Sequence, residues 1–184
     1  MADFDRLPPV HPVDVPDEGV RDTLMELLGL TGLPERAEVE SSEPHDEYGL
    51  RVVPFTFDNL LGETVSGRLC LPAAATPEQP VPGVVCLPGT SASAEELAEA
   101  SFGPDPARGG RLIGWSRELA RRGFATAAIT LCGCTARQRR PEDWGLLTKR
   151  LAPLGRSPVG VMVDEGLRAA RLLAQTPGVD EQRL

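Results

Sequence analysis

Two short runs constrain this chain more than anything else in it. Gly83-Val84-Val85-Cys86-Leu87 and Phe124-Ala125-Thr126-Ala127-Ala128-Ile129-Thr130-Leu131 are almost wholly apolar or small. Each is too short for a core helix, so each reads as a strand covered on both faces. Strands of that kind belong to parallel sheets, whose crossover connections lay helices over the faces. Helical patterns stand where the crossovers need them. One runs from about Leu112 to Arg122 and stops at Gly123. The other starts with Ser157 as N-cap and Pro158 in the first turn, carries Val159, Met162, Val163, Leu167, Ala170, Leu172 and Leu173, and ends at Pro177. The alternation predicts an α/β sheet with right-handed crossovers and ligands at the carboxyl ends of its strands.

Ahead of these runs the period is two. Val53, Phe55 and Phe57 alternate with polar or small neighbours, and Val65, Gly67, Leu69 and Leu71 do the same after a turn through Gly62, which predicts an antiparallel hairpin. Pro54 lacks a donor and is expected to put the first strand at a sheet edge. Residues 1–49 read as a polar, proline-bearing leader around one short helix. Asp17 is its cap, and Val20, Leu24, Leu27 and Leu28 form a stripe expected to lie down on the main body. Ser93 and Glu96 have the spacing of a capping box, and Cys132 to Arg156 reads as a long loop at the strand ends. An arginine of that loop, among Arg137, Arg139, Arg140 and Arg150, could hold a carboxylate, and Trp144 could wall a pocket, but a solvated charged face is the simpler expectation. Asp164 and Glu165, inside the last helical pattern, read as exposed or structural.

Composition narrows the function. The 184 residues suit about one domain. With 19 basic against 27 acidic residues, a net charge of -8 argues against nucleic acid or an anionic membrane as partner. No stretch approaches the roughly 18 apolar residues of a membrane span, and no secretory signal is visible, so a cytoplasmic location is expected. Cys70, Cys86, Cys132 and Cys134 are too few for a disulfide scaffold and read as reduced and buried. The C-x-C pair lacks zinc spacing, and the only histidines, His11 and His45, lie in the leader. No metal and no cofactor are expected: G-x-G-x-x-G, G-x4-G-K-[ST] and H-E-x-x-H are all absent.

Four features occur in a telling order. They are the Arg51 to Leu71 hairpin, the V-C-L-P-G-T strand and turn at Val85 to Thr90, E-L-A-R-R-G-F-A at Glu118 to Ala125, and the Leu154 to Leu173 segment leading to P-G-V-D-E-Q-R-L. In these the chain resembles the N-terminal part of an α/β-hydrolase, of the dienelactone hydrolase and acetyl xylan esterase-like group. The resemblance covers residues 50–184 as a partial domain and leaves 1–49 unmatched. It implies a sheet of antiparallel hairpin followed by parallel strands with crossover helices, truncated before the nucleophile strand, and a serine-type carboxylic-ester hydrolase acting on a small-molecule ester.

In that fold serine, acid and histidine follow in chain order from a G-x-S-x-G elbow, which this sequence lacks. The chain alone is therefore expected to be inactive. Ser91 and Ser93 sit in no elbow. What the resemblance does assign is half an oxyanion hole in the turn after the Val84 strand, with the backbone N–H of Thr90 as donor and that of Ser91 as second candidate. Pro88 stands where the family usually has histidine. Two other readings compete: a non-catalytic truncated remnant or interaction module, and a doubly wound ligand-binding domain with the Gly89 loop as an anion nest. Without the next strand, the Val84 to Leu87 strand becomes an open edge through which the chain is expected to self-associate.

Overall fold

The computed structural model describes residues 17–30, 38–89, 91–137 and 143–184. In chain order the elements are α1 (Asp17–Leu27), β1 (Glu40–Ser41), β2 (His45–Glu47), β3 (Leu50–Asp58), β4 (Thr64–Pro72), β5 (Gly83–Cys86), α2 (Ala94–Leu97), β6 (Gly103–Asp105), β7 (Arg111–Ile113), α3 (Trp115–Arg121), β8 (Ala125–Ile129), α4 (Asp143–Leu151) and α5 (Pro158–Gln175).

The main sheet has the order β1-β3-β4-β8-β5, with β2 also on β3. β3 and β4 form the expected antiparallel hairpin, β4 pairs antiparallel with β8, and β5 pairs parallel with β8. The carboxyl ends of β3, β8 and β5 therefore lie at one end of the sheet. Every residue of β8 is buried, and four of the five are alanine or threonine. Small side chains on both faces let helices approach the central strand closely.

On one face Ala125, Ala127 and Ile129 join Val53, Phe55, Phe57, Val65, Leu69 and Leu71 of the hairpin and Ala169 and Leu173 of α5 in the largest core. The other face is shared by two smaller clusters. Ala120 of α3 packs there with Leu50, Val52 and Cys70, and Leu97 of α2 packs with Cys86 and Ala128. Phe55 lies over Gly67, its pair partner across the hairpin: a Cβ on Gly67 would stand 2.2 Å from the ring. The glycine is thus a seat for an aromatic ring.

Pro54 is accommodated differently from expectation. β3 is not the sheet edge, because β1 pairs with Phe55 and Thr56 and β2 with Leu50 to Val52. Pro54 falls in the gap between those two partners, where its missing N–H costs nothing and its carbonyl still accepts from Ser42 N–H at 2.9 Å. The stripe on α1 also departs from expectation. Val20, Leu24 and Leu27 are exposed, and α1 is held by its C-terminal end, where Leu30 is buried and the Leu28 carbonyl lies against Gly160. The Cys132 to Arg156 segment contains α4 and two 3-10 turns, at Thr135–Arg137 and Ala152–Leu154. Among the described residues no helix is long and apolar enough to cross a membrane.

Candidate functional site

The turn after β5 lies at the carboxyl end of the sheet, where this architecture places ligands. Leu87 is half exposed, and Gly89 turns the chain so that Ala92 N–H donates to the Gly89 carbonyl at 3.1 Å. Thr90, the first candidate oxyanion donor, lies outside the described residues. Ser91, the second, is exposed. Ser93 caps α2 through its hydroxyl, which accepts from Glu96 N–H at 3.3 Å. Only that half of the capping box forms, because the Glu96 carboxylate pairs with Arg111 and Arg108 instead. Ser93 is thus a cap. His45 stands on β2, beside the first residues of β3 and paired with Glu47, away from the Gly89 end. His11 lies outside the described residues.

The turn is fastened at two points to the segment that follows β8. Ala94 N–H donates to Thr130 Oγ1 at 3.0 Å, and Cys134 Sγ donates to the Gly89 carbonyl at 3.5 Å. The loop after β8 is fixed in turn by a polar cluster inside the core. Asp164 and Glu165 on α5 are fully buried. Glu165 Oε2 accepts from Cys132 N–H at 2.6 Å, while Oε1 accepts from Asn59 Nδ2 at 2.8 Å and from Arg137 Nη1 at 2.6 Å. Asp164 accepts from Leu60 N–H at 2.8 Å and pairs with Arg168 at 2.9 Å. Asn59 Oδ1 meanwhile accepts from the Leu61 and Glu63 amides, closing the β3–β4 turn.

Sequence reasoning missed this cluster. The available signal was the four-residue repeat Val161, Glu165, Ala169, Leu173, all buried, which puts a carboxylate in the middle of an apolar stripe. Arg137 is taken up by the cluster, its guanidinium shared between Glu165, Glu63 and the Thr130 carbonyl. Arg139 and Arg140 lie outside the described residues, and Trp144 stands in the first turn of α4.

A cleft of about 590 Å³ opens between β1, the β3–β4 turn and Arg168, lined in part by Glu38, Glu40 and Asp58. It is on the far side of the sheet from β5, with β4 and β8 between. The Gly89 turn is not part of its wall.

Burial holds the cysteine thiols in their protonated form. All four are buried and unpaired. Burial pushes the Cys86 and Cys132 thiols up to about 12, with the neighbouring Glu165 adding to the effect at Cys132; burial also raises Cys70 and Cys134. Among the described residues no group of three or more His, Cys, Asp or Glu could hold a metal ion.

These thiols make alkaline stability testable. The folded pKa lies above the ordinary 9.0, so the stabilisation is complete below pH 9 and is lost as pH rises toward 12. At pH 10, Cys86 and Cys132 should each withdraw about 1 kcal/mol. Cys70 and Cys134, raised in the same direction by burial, add to the loss. Urea unfolding under reducing conditions at pH 8 and pH 10 measures the difference; equal stabilities would contradict the burial of these thiols.

No protein-family profile matches the chain, and no curated protein matches it. Solved structures do match it. A candidate acetyl xylan esterase from Bacteroides fragilis NCTC 9343 superposes with a TM-score of 0.71 at 17% identity, over 90% of this chain and 44% of that one. The acetyl xylan esterase from Paenibacillus sp. R4 gives 0.56 at 18% identity, over 88% and 48%. Acetyl xylan esterase 1 from Thermoanaerobacterium sp. JW/SL YS485 gives 0.56 at 14%, over 90% and 49%. The chain spans less than half the length of each. At these identities the likeness is one of fold, and it agrees with the hairpin, the β4-β8-β5 order and the crossover helices: the chain has the α/β-hydrolase fold over the part of these esterase structures that it matches.

Proposed function

We propose that this chain is the N-terminal part of a serine-type carboxylic-ester hydrolase acting on a small-molecule ester. In this reading it supplies one oxyanion donor from the turn after β5, and the triad comes from residues outside this sequence. Thr90 N–H is the donor, with Ser91 N–H as the second choice. Such a donor holds the negative charge that builds on the carbonyl oxygen during acyl transfer, and each one contributes about 3 kcal/mol to lowering the barrier. A serine from the next strand attacks the ester carbonyl, a histidine takes its proton, and an acid orients the histidine.

The observation that carries this reading is the position of β5. It is the last strand of the sheet, its turn opens at the carboxyl end, and its outer edge has begun to receive a parallel neighbour. Val81 N–H donates to the Gly178 carbonyl, Asp180 N–H to the Val81 carbonyl and Gly83 N–H to the Arg183 carbonyl, at 3.0, 2.8 and 2.9 Å. Val81 and Val179 form a parallel bridge. By the alternation of a parallel ladder, the N–H and C=O of Val85 face that open edge. A strand continuing in this direction would place an elbow beside the Gly89 turn. The same edge supports self-association of the 184-residue chain in isolation.

The test pairs this chain with the full-length protein. The 184-residue chain should show no turnover of p-nitrophenyl acetate and should sediment as oligomers. The full-length protein should hydrolyse the ester and take up a fluorophosphonate on a single serine. Turnover by the short chain that disappears on Ser91→Ala would overturn the reading, and a full-length protein inert to both reagents would favour an interaction module.

A further inference from the structure

We propose that Glu165 is a positioning residue for the acyl-transfer site, holding the loop after β8 and, through it, the Gly89 turn that presents the oxyanion donor. The inference rests on the hydrolase reading above. Glu165 occupies the centre of the buried stripe of α5, where an apolar side chain would pack without the cost of desolvating a carboxylate. The helix has ample apolar anchorage in Val161, Ala169 and Leu173. Holding α5 in place therefore does not require the carboxylate.

Its three hydrogen bonds all leave the helix, and two of them end on the loop after β8, at Cys132 N–H and Arg137 Nη1. Arg137 Nη1 also donates to the Thr130 carbonyl at 3.2 Å, closing the loop onto the strand end. From this braced segment come both fastenings of the Gly89 turn, Thr130 Oγ1 to Ala94 N–H and Cys134 Sγ to the Gly89 carbonyl. The path from carboxylate to turn is two contacts long. An oxyanion donor must be held in place before reaction, and a small displacement of it costs rate more than binding.

The thiols report on this geometry directly. Cys132 and Cys134 lie in the braced loop, whereas Cys70 and Cys86 lie in the sheet. In the full-length protein, Glu165→Leu should raise iodoacetamide labelling of Cys132 and Cys134 by about tenfold or more while Cys70 and Cys86 stay protected. It should lower kcat for p-nitrophenyl acetate by ~10- to 100-fold with KM little changed. Glu165→Gln keeps one acceptor and should fall between wild type and Glu165→Leu in both readouts, which also serves if the leucine variant does not fold.

Equal exposure of all four thiols, or unchanged labelling of Cys132 and Cys134, would overturn the inference. So would an unmoved kcat in a variant whose loop has opened. A wild-type protein without turnover but with the local thiol response would count against the hydrolase reading and leave the bracing of the loop standing.

Discussion

Replacing Arg137 by methionine is expected to cost about 3–5 kcal/mol of folding stability, because it strands a buried carboxylate. The Glu165 side chain is fully buried, and Arg137 is the cation that meets it, at 2.6 Å. Methionine fills much of the same volume with no donor, leaving Oε1 with only the Asn59 amide. The opposite deletion should be milder. Arg137 is 17% exposed and keeps Glu63 at 3.0 Å, so without Glu165 the guanidinium still has a counter-ion and a route to water. The double variant Arg137→Met, Glu165→Leu should recover much of the loss, since a buried pair is replaced by apolar atoms rather than broken. Urea unfolding of the two single variants and the double variant measures the cycle. A loss below about 1 kcal/mol for Arg137→Met would mean that Glu165 reaches water and that the cluster is an ordinary surface pair.

This asymmetry also explains what could be read from the sequence and what could not. The hairpin, β5, β8 and α5 were legible because burial writes itself locally. Alternation at Val53, Phe55 and Phe57 follows from one covered face, unbroken apolarity at Val84 to Leu87 from two, and the Ser157 cap needs only Gly160 N–H three residues on, at 3.0 Å. Partners distant in the chain leave no such trace. Glu165 binds Asn59 across 106 residues, and nothing near either residue announces the other. α4 was hidden by Gly145 within it, and β6 and β7 by their length of three residues each. The outward stripe of α1 has the pattern of an inward one. The pattern records amphipathicity, and only the fold decides what the apolar side meets. The site was legible as a turn, since Pro88-Gly89 after an apolar run marks one, but its fastening by Cys134 spans 45 residues and had to be seen.

A second large loss is expected from Gly114→Ala, about 3 kcal/mol or more, and a matched control separates its two causes. Gly114 joins β7 to α3 with φ 68°, in the left-handed region. Its N–H donates to the Glu96 carbonyl and its own carbonyl accepts from Glu118 N–H, both at 2.9 Å, so the backbone is held on either side. A Cβ there would lie 1.8 Å from the Ser101 carbonyl oxygen and 2.9 Å from that of Glu99. Both obstacles are backbone, which cannot swing aside as a side chain can. Either the 99–101 segment moves or α3 does, and α3 carries Ser116 and Ala120, both fully buried against the sheet.

Gly109 has nearly the same backbone, φ 67°, but nothing within 4 Å of a Cβ. Gly109→Ala should therefore lose only the conformational cost, about 1 kcal/mol. The difference between the two variants in urea is the steric part. Equal losses would show that the close approach of Ser101 to Gly114 yields easily, and with it the seating of α3 behind β8.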